Sequence, residues 1–156
     1  MLKVTIPGRQ ELILNYIILD FNGTMALEGI LLPGVAEKLN QLAEIIQVHV
    51  LTADTFGTVK ESCQGIRCSV QVLIEEPGNR EKLKFISRLG AEHCVTVGNG
   101  VNDTLMLEGS ALGIVVLGPE GTSSKALLAA DVAVPGILEG LDLLLYPRRL
   151  VATLRV

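Results

Sequence analysis

From residue 16 to residue 134 the chain alternates two patterns. Short runs rich in Val, Ile and Leu (YIILD, VHVLT, QVLIE, CVTVG, LGIVVLG and DVAV) are separated by stretches of helical character. These are PGVAEKLNQLAEII, TFGTVKESC, NREKLKFISRLG, NDTLMLEGS and TSSKALLAA. Strands apolar on successive residues need cover on both faces, and a helix between consecutive strands makes them parallel. The expected fold is therefore α/β, a Rossmann-like three-layer parallel sheet with helices on both faces. Composition agrees. Hydrophobic residues make up 49% and aromatics 3%, with no Trp, so the core must be built from Val, Ile, Leu and Ala. A chain of 156 residues is expected to form one domain over 1–156, large enough to bury such a core.

The two ends depart from the alternation. LKVTI and ELIL flank Pro7-Gly8, which predicts an N-terminal β-hairpin. The tail ILEGLDLLLYPRRLVATLRV reads as one or two helices, with Pro147 breaking them or starting the second. Its LDLLLYP segment is apolar enough to suggest burial against a second copy of the chain, so a homo-oligomer is expected. Net charge is −4, with 17 acidic against 13 basic residues, and no basic cluster exceeds Arg148-Arg149. A nucleic-acid footprint needs a concentrated positive face, and none is present. Cys63, Cys68 and Cys94 form no CxxC pair and read as small buried hydrophobes in a reducing compartment. MLKVTIPGRQ has no apolar signal core, and no run reaches membrane-spanning length. The expectation is a cytoplasmic protein with no membrane association.

YIILDFNGTMA, residues 16–26, runs an apolar strand into Asp20 and then into Asn22-Gly23. Asn-Gly is a hairpin-turn signal, whereas a carboxylate at a strand end suits a site on the C-terminal edge of a parallel sheet. Other strands end in the same manner. VHVL ends in Thr52, CVTV ends in Gly98-Asn99-Gly100 with Asn102-Asp103 beyond, and Lys82 falls in the first turn of the helix after QVLIE. A parallel sheet brings those ends to one edge. An aspartate that attacks phosphorus, a hydroxyl and an ammonium that hold phosphate oxygens, and a second acid near a Mg²⁺ form a phosphoryl-transfer set.

These residues carry a resemblance to the haloacid dehalogenase superfamily of phosphohydrolases, and within it to small soluble proteins likened to the phosphorylation domain of P-type ATPases. The first motif of that superfamily, DxDxT, appears as Asp20-Phe21-Asn22-Gly23-Thr24, and the second as Thr52. The third, a lysine, fits Lys82 better than Lys84, and the fourth, GDGxND, appears as Gly98-Asn99-Gly100-Val101-Asn102-Asp103. The resemblance covers nearly the whole chain. It implies a Mg²⁺-dependent phosphomonoesterase acting on a phosphorylated small molecule or macromolecule through an aspartyl-phosphate at Asp20. Asp20, Asn22, Thr52 and Lys82 would be catalytic, and Thr52, Lys82, Phe21 and Ala53 would bind phosphate. Asp20, Asn22, Asn99 and Asp103 would hold the metal. MALEGILLPG would form the small β flap of these proteins around Glu28-Gly29, so Asn22-Gly23 serves both turn and site. No stretch has room for an inserted cap domain, and an open site implies a large substrate or a lid from a neighbouring subunit.

Two residues depart from the superfamily pattern. Asn22 stands where a second Asp usually protonates the leaving group and activates water, a role worth about 10²–10⁴ in rate. Asn99 stands where an Asp usually ligates Mg²⁺, so a negative charge is missing and weaker metal binding is expected. Two further readings follow: a catalytically degenerate member that binds phosphate or a partner, and a receiver-like phosphoacceptor domain, which leaves GNGVND unexplained. Elsewhere, His49 reads as a packed, hydrogen-bonded histidine, His93 as a surface residue, and Asp131 as a turn residue. Asp54 and Thr55 read as pocket lining or a helix N-cap, and Arg148 and Arg149 as solvated. Gly98-x-Gly100 lacks the third glycine of a dinucleotide fingerprint.

Overall fold

The computed structural model describes residues 1–53, 57–74 and 78–156. Asp54 and Thr55, with the roles expected of them, lie outside the described residues. The centre is a six-stranded sheet of β3 (Tyr16–Asp20), β6 (Gln47–Thr52), β7 (Ser69–Val72), β8 (Cys94–Gly98), β9 (Leu112–Val116) and β10 (Val132–Val134). Its order is β10-β9-β8-β3-β6-β7, and every pair is parallel. This is the predicted doubly covered α/β fold.

Period-2 alternation divides the strands between two cores. On one face, Ile17 and Leu19 of β3, Val95 and Val97 of β8, and Leu112, Ile114 and Val116 of β9 share a cluster with three helices. The helices are α1 (Val35–Leu42), α6 (Ile137–Leu145) and α7 (Pro147–Leu154). On the other face, Ile18 of β3 and Leu51 of β6 meet Ile86 of α3 (Gly78–Leu89) and Met106 of α4 (Thr104–Gly109). Val115 meets Ala126 of α5 (Ser124–Ala129). Each residue of β8 and β9 is buried, as apolarity on successive residues demands.

The expected ends are present. β1 (Leu2–Val4) and β2 (Leu12–Leu14) form the antiparallel N-terminal hairpin. The flap is β4 (Ala26–Leu27) paired antiparallel with β5 (Ile30–Leu31), and its turn places Glu28 at φ 50° and Gly29 at φ 80°. Two left-handed residues in succession match the strand twist of a two-residue hairpin. Pro147 starts α7, where its missing N–H costs no helical bond. Between Thr24 and Thr52 the described elements are the flap, α1 and β6, and between Thr52 and Lys82 they are α2 (Val59–Ser62) and β7, so no cap domain is present among the described residues.

Some expectations are corrected. QVLIE shifts upstream: the strand spans Ser69–Val72, because β6 ends at Thr52 opposite Val72. Two predicted helices shorten to Val35–Leu42 and Val59–Ser62. The apolar tail folds onto its own sheet, with Leu141, Leu143 and Leu144 buried, so it no longer argues for a second copy of the chain. His49 is packed, between Tyr16 at 5.9 Å and Phe85 at 5.5 Å, but its buried Nε2 has no hydrogen-bond partner, and burial lowers its pKa. His93 is half-buried rather than on the surface, with Nδ1 2.9 Å from the Ile13 carbonyl. Asp131 accepts the Gly113 N–H at 2.9 Å, a structural role as expected.

β9 packs closely on α4 at Gly113, where a Cβ would run into the Leu107 carbonyl, a backbone atom with little freedom to move. A Cβ at Gly78 would meet only Leu73 Cδ1 at 3.9 Å. Gly113→Ala is therefore expected to destabilise the fold by about 1–3 kcal/mol through overpacking, whereas Gly78→Ala stays within about 0.5 kcal/mol of wild type. Urea unfolding of both variants checks this, and equal stabilities would refute it.

Candidate active site

The strand order reverses direction at β3. From β3 the chain winds outward through β6 and β7, then returns to β8 on the other side and continues through β9 and β10. The crevice beyond the carboxyl ends of β3 and β8 is thus a topological switch point, where open α/β sheets bind ligands. Asp20 ends β3, Asn99 follows β8, and Thr52 ends β6, so the topology itself gathers these residues. They line a cavity of about 200 Å³ together with Asn22, Ala53, Gly100, Asn102 and Glu120. A wider depression of about 710 Å³ lies at the opposite edge of the molecule, near Arg9, Ala91 and Asp131, and collects none of the strand-end residues.

Below the cavity floor sits a buried charge triad. Lys82, on the first turns of α3, has no exposed surface, and its Nζ donates to Asp20 Oδ1 at 2.6 Å and to Asp103 Oδ1 at 2.6 Å. Asp103 Oδ2 accepts the backbone N–H groups of Asn99 and Gly100, each at 2.9 Å. One carboxylate therefore orients the ammonium and shapes the turn after β8 together. That turn needs Gly98, because a Cβ there would overlap the Asp103 carboxylate. Burial first, and then the charge of Asp103, push the Asp20 pKa up from 3.8 to about 7 against the pull of Lys82. For Lys82, burial alone would lower the pKa, but the two carboxylates outweigh it and hold the ammonium well above its usual value.

The asparagines are also engaged. Asn22 Oδ1 accepts the Gly29 N–H at 2.8 Å, which ties the loop after β3 to the flap turn. Asn99 Nδ2 donates to the Gly121 carbonyl at 2.9 Å, so its Oδ1 faces Thr24 Oγ1 at 3.3 Å. Thr24 Oγ1 is also 3.5 Å from Asp20 Oδ2. The Phe21 ring is in the core, and its N–H donates to the Asp20 carboxylate. Thr52 is buried at the end of its strand, and Ala53 is exposed beside it. Gly23, at φ 81°, is required twice: by its left-handed backbone, and because a Cβ would come within 2.5 Å of Asn99 Nδ2 and 2.6 Å of Glu120 Oε2.

Sequence reasoning gave no role to Asn102 and Glu120, which line the cavity, or to Thr24, which is buried beside Asp20 and Asn99. Thr24 is part of a motif but was given no role, Asn102 was read only as a motif letter, and Glu120 was not considered. Glu120 belongs to Gly118-Pro119-Glu120-Gly121, a turn-rich stretch after β9, and that position past a strand end was the available signal.

A divalent cation fits the donor set. Among the described residues, no group of three or more His, Cys, Asp or Glu side chains is arranged to hold a metal. Asp20 Oδ2 and Asn99 Oδ1 are hard oxygens on either side of Thr24 Oγ1, Asn22 lines the same cavity, and Mg²⁺ is commonly held by one or two carboxylates with water and substrate phosphate completing its shell.

Comparison with known proteins agrees with this geometry. No family model matches the chain. The uncharacterized protein MJ0073 of Methanocaldococcus jannaschii is 45% identical over 78 residues, covering 47% of this chain and 84% of that protein. The soluble P-type ATPase-like phosphatase of the same organism is 28% identical over 123 residues, covering 77% of this chain and 45% of its own length. A probable cadmium-transporting ATPase of Staphylococcus aureus is 36% identical over 104 residues, 65% of this chain and 14% of the transporter. The chain thus spans less than half of either the phosphatase or the transporter. Among solved structures, the 3-deoxy-D-manno-octulosonate 8-phosphate phosphatase of Moraxella catarrhalis, in complex with magnesium, phosphate and KDO, superposes with a TM-score of 0.71 at 14% identity. The match covers 91% of this chain and 94% of that one. A HAD superfamily (subfamily III A) hydrolase structure from Legionella pneumophila gives 0.68 at 17% identity, covering 90% and 87%. The fold is the one these haloacid dehalogenase-type phosphatase and hydrolase structures share, here without a cap domain among the described residues. The chain belongs to one family with MJ0073, and it is similar to the soluble P-type ATPase-like phosphatase.

The triad has a pH signature. Because folding raises the pKa of Asp20, the stability this group contributes is complete below 3.8 and is lost as pH rises through about 7. Lys82→Met removes the cation that opposes the shift and leaves two buried carboxylates unpaired. The variant is expected to be about 3–5 kcal/mol less stable than wild type at pH 8, with the gap narrowing toward pH 5 as Asp20 protonates. Metal-free urea unfolding at both pH values measures it, and a gap independent of pH would contradict the assignment.

Proposed function

We propose that this protein is a Mg²⁺-dependent phosphomonoesterase that works through an aspartyl-phosphate at Asp20. The observation that carries the reading is the Asp20–Lys82–Asp103 triad at the switch point, opening onto a polar cavity with Thr52 on its wall. In this reading a phosphate monoester lies with its oxygens near the Thr52 hydroxyl, the Ala53 and Phe21 backbone and the Lys82 ammonium. The Asp20 carboxylate attacks phosphorus in line, the bond from phosphorus to the ester oxygen breaks, and the leaving alcohol takes a proton from solvent. Water then cleaves the acyl phosphate, releasing inorganic phosphate and restoring Asp20. Lys82 balances charge in both steps, and Asp103 keeps it aimed. The cation, held by Asp20, Asn99 and the Asn22 carbonyl with Asp103 behind them, would supply charge neutralisation of the phosphoryl group.

Asn22 sets the pace. An amide has no proton to give and no basic lone pair to take one, and its oxygen is already committed to the flap. The second half-reaction is therefore expected to lag and phosphoenzyme to accumulate. The same observation favours one other reading, a degenerate member that binds phosphate or a partner without useful turnover. The three free thiols fit a reducing cytoplasm. The open site motivates a homo-oligomer in which a neighbour covers it, a point that sedimentation at micromolar concentration decides.

Hydrolysis of an activated aryl phosphate with acid-quenched phosphoenzyme provides the test. Asp20→Asn is expected to abolish both turnover and labelling, and retained labelling would sink the nucleophile assignment. Asn22→Asp is expected to raise turnover by about 10²-fold, the low end of general acid–base effects, while keeping the flap bond. Unchanged turnover in a folded, metal-binding variant would show that Asn22 is not the missing acid–base group.

A further inference from the structure

Two carboxylates of the triad face one ammonium, so Asp20, Asp103 and Lys82 together carry a single negative charge. Asn22 and Asn99 add none. Asp20 alone brings a carboxylate to the donor set, and a divalent cation is often held by two; among the described residues the other acid lining the cavity is Glu120. Its Oε2 and the Asn99 amide converge on the space left open by Gly23, at 2.6 Å and 2.5 Å from where a Cβ would stand. Among the described residues Glu120 takes part in no hydrogen bond or ion pair. Glu120 is exposed at the cavity wall, and a carboxylate without a protein partner there is open to a cation.

The loop that carries it is built into place. Asn99 Nδ2 donates to Gly121 O, and the Ser123 N–H donates back to Asn99 O at 2.9 Å. Gly118 N–H donates to Pro135 O at 3.0 Å, and Thr122 Oγ1 donates to Val116 O at 2.7 Å. Gly118 also lies against the nucleophile loop, where a Cβ would come within 3.2 Å of Gly23 O. An amide at position 99 can both donate to the Gly121 carbonyl and present an oxygen to Thr24, beside Asp20. Aspartate there would set a negative charge against the Gly121 carbonyl and release the loop.

We propose that Glu120 is the second carboxylate of the divalent-cation site, supplying from the loop after β9 the charge that Asn99 lacks. The proposal rests on the metal-dependent reading above but concerns a residue outside the four motifs. Asn99 is then a double-purpose residue: its oxygen faces the cation and its nitrogen holds the loop that delivers the carboxylate.

The test is Mn²⁺ binding to the purified full chain, followed by the electron paramagnetic resonance of free Mn²⁺, with Mg²⁺ competition. No turnover is involved. Glu120→Gln is expected to weaken Mn²⁺ binding at least tenfold, the lower end of what losing even an outer partner of a metal site costs, with its metal-free melting temperature unchanged. Glu120→Asp, which keeps the charge on a shorter stem, is expected to recover part of the loss. Affinity of Glu120→Gln within twofold of wild type overturns the assignment while leaving the phosphatase reading intact. Wild-type protein that takes up no Mn²⁺ at millimolar concentration overturns both.

Discussion

The burial of Lys82 between Asp20 and Asp103 is the constraint on which the rest of the structure depends. An ammonium without solvent exposure is tolerable only when its protons are bonded and its charge is answered, and here two carboxylates do both at 2.6 Å. This requirement fixes the relative positions of three separate elements: the end of β3, the first turns of α3 and the turn after β8. Because Asp103 Oδ2 also caps the Asn99 and Gly100 amides, the charge network and the backbone conformation of that turn are one feature. Removing any one charge would disturb both.

The same arrangement suits the phosphoryl chemistry proposed for it. A carboxylate that is buried, held by one cation and open on its other side to a polar cavity suits a nucleophile, and its neighbours aim Lys82 without occupying the cavity. The two asparagines carry structural bonds of their own. Asn22 anchors the flap and Asn99 anchors the loop bearing Glu120, so positions that normally carry charge here carry structure. In the proposed function these substitutions correspond to weaker acid–base chemistry at Asn22 and a carboxylate displaced from position 99 to Glu120.

Much of the fold was legible in the chain. YIILD, CVTVG and LGIVVLG are apolar on successive residues, which only a sheet covered on both faces can bury, and the segments between them carry helical spacing. Boundaries were less legible, as β7 shows: its end is set by where β6 stops beside it, which is a property of the pair. The LDLLLYP segment misled because hydrophobicity declares that a surface will be buried without declaring against what. His49 misled similarly, since its apolar strand neighbours say that it packs but not that its Nε2 lacks a partner.

The sequence by itself determined which residues stand at strand ends, because side-chain period and the order of apolar runs are local properties. Asp20, Thr52, Asn99 and Asp103 were found that way, and Lys82 by its place in a first helical turn. Only the tertiary structure decided how those residues use their atoms: that both oxygens of Asp103 are engaged, that Asn22 belongs to the flap, and that Glu120 enters the cavity. Glu120 is 100 residues from Asp20 in the chain, in a loop with no strand or helix pattern of its own. Its approach depends on the Asn99–Gly121 bond and on the close contact at Gly23, and a contact between distant segments has no signature in either segment alone.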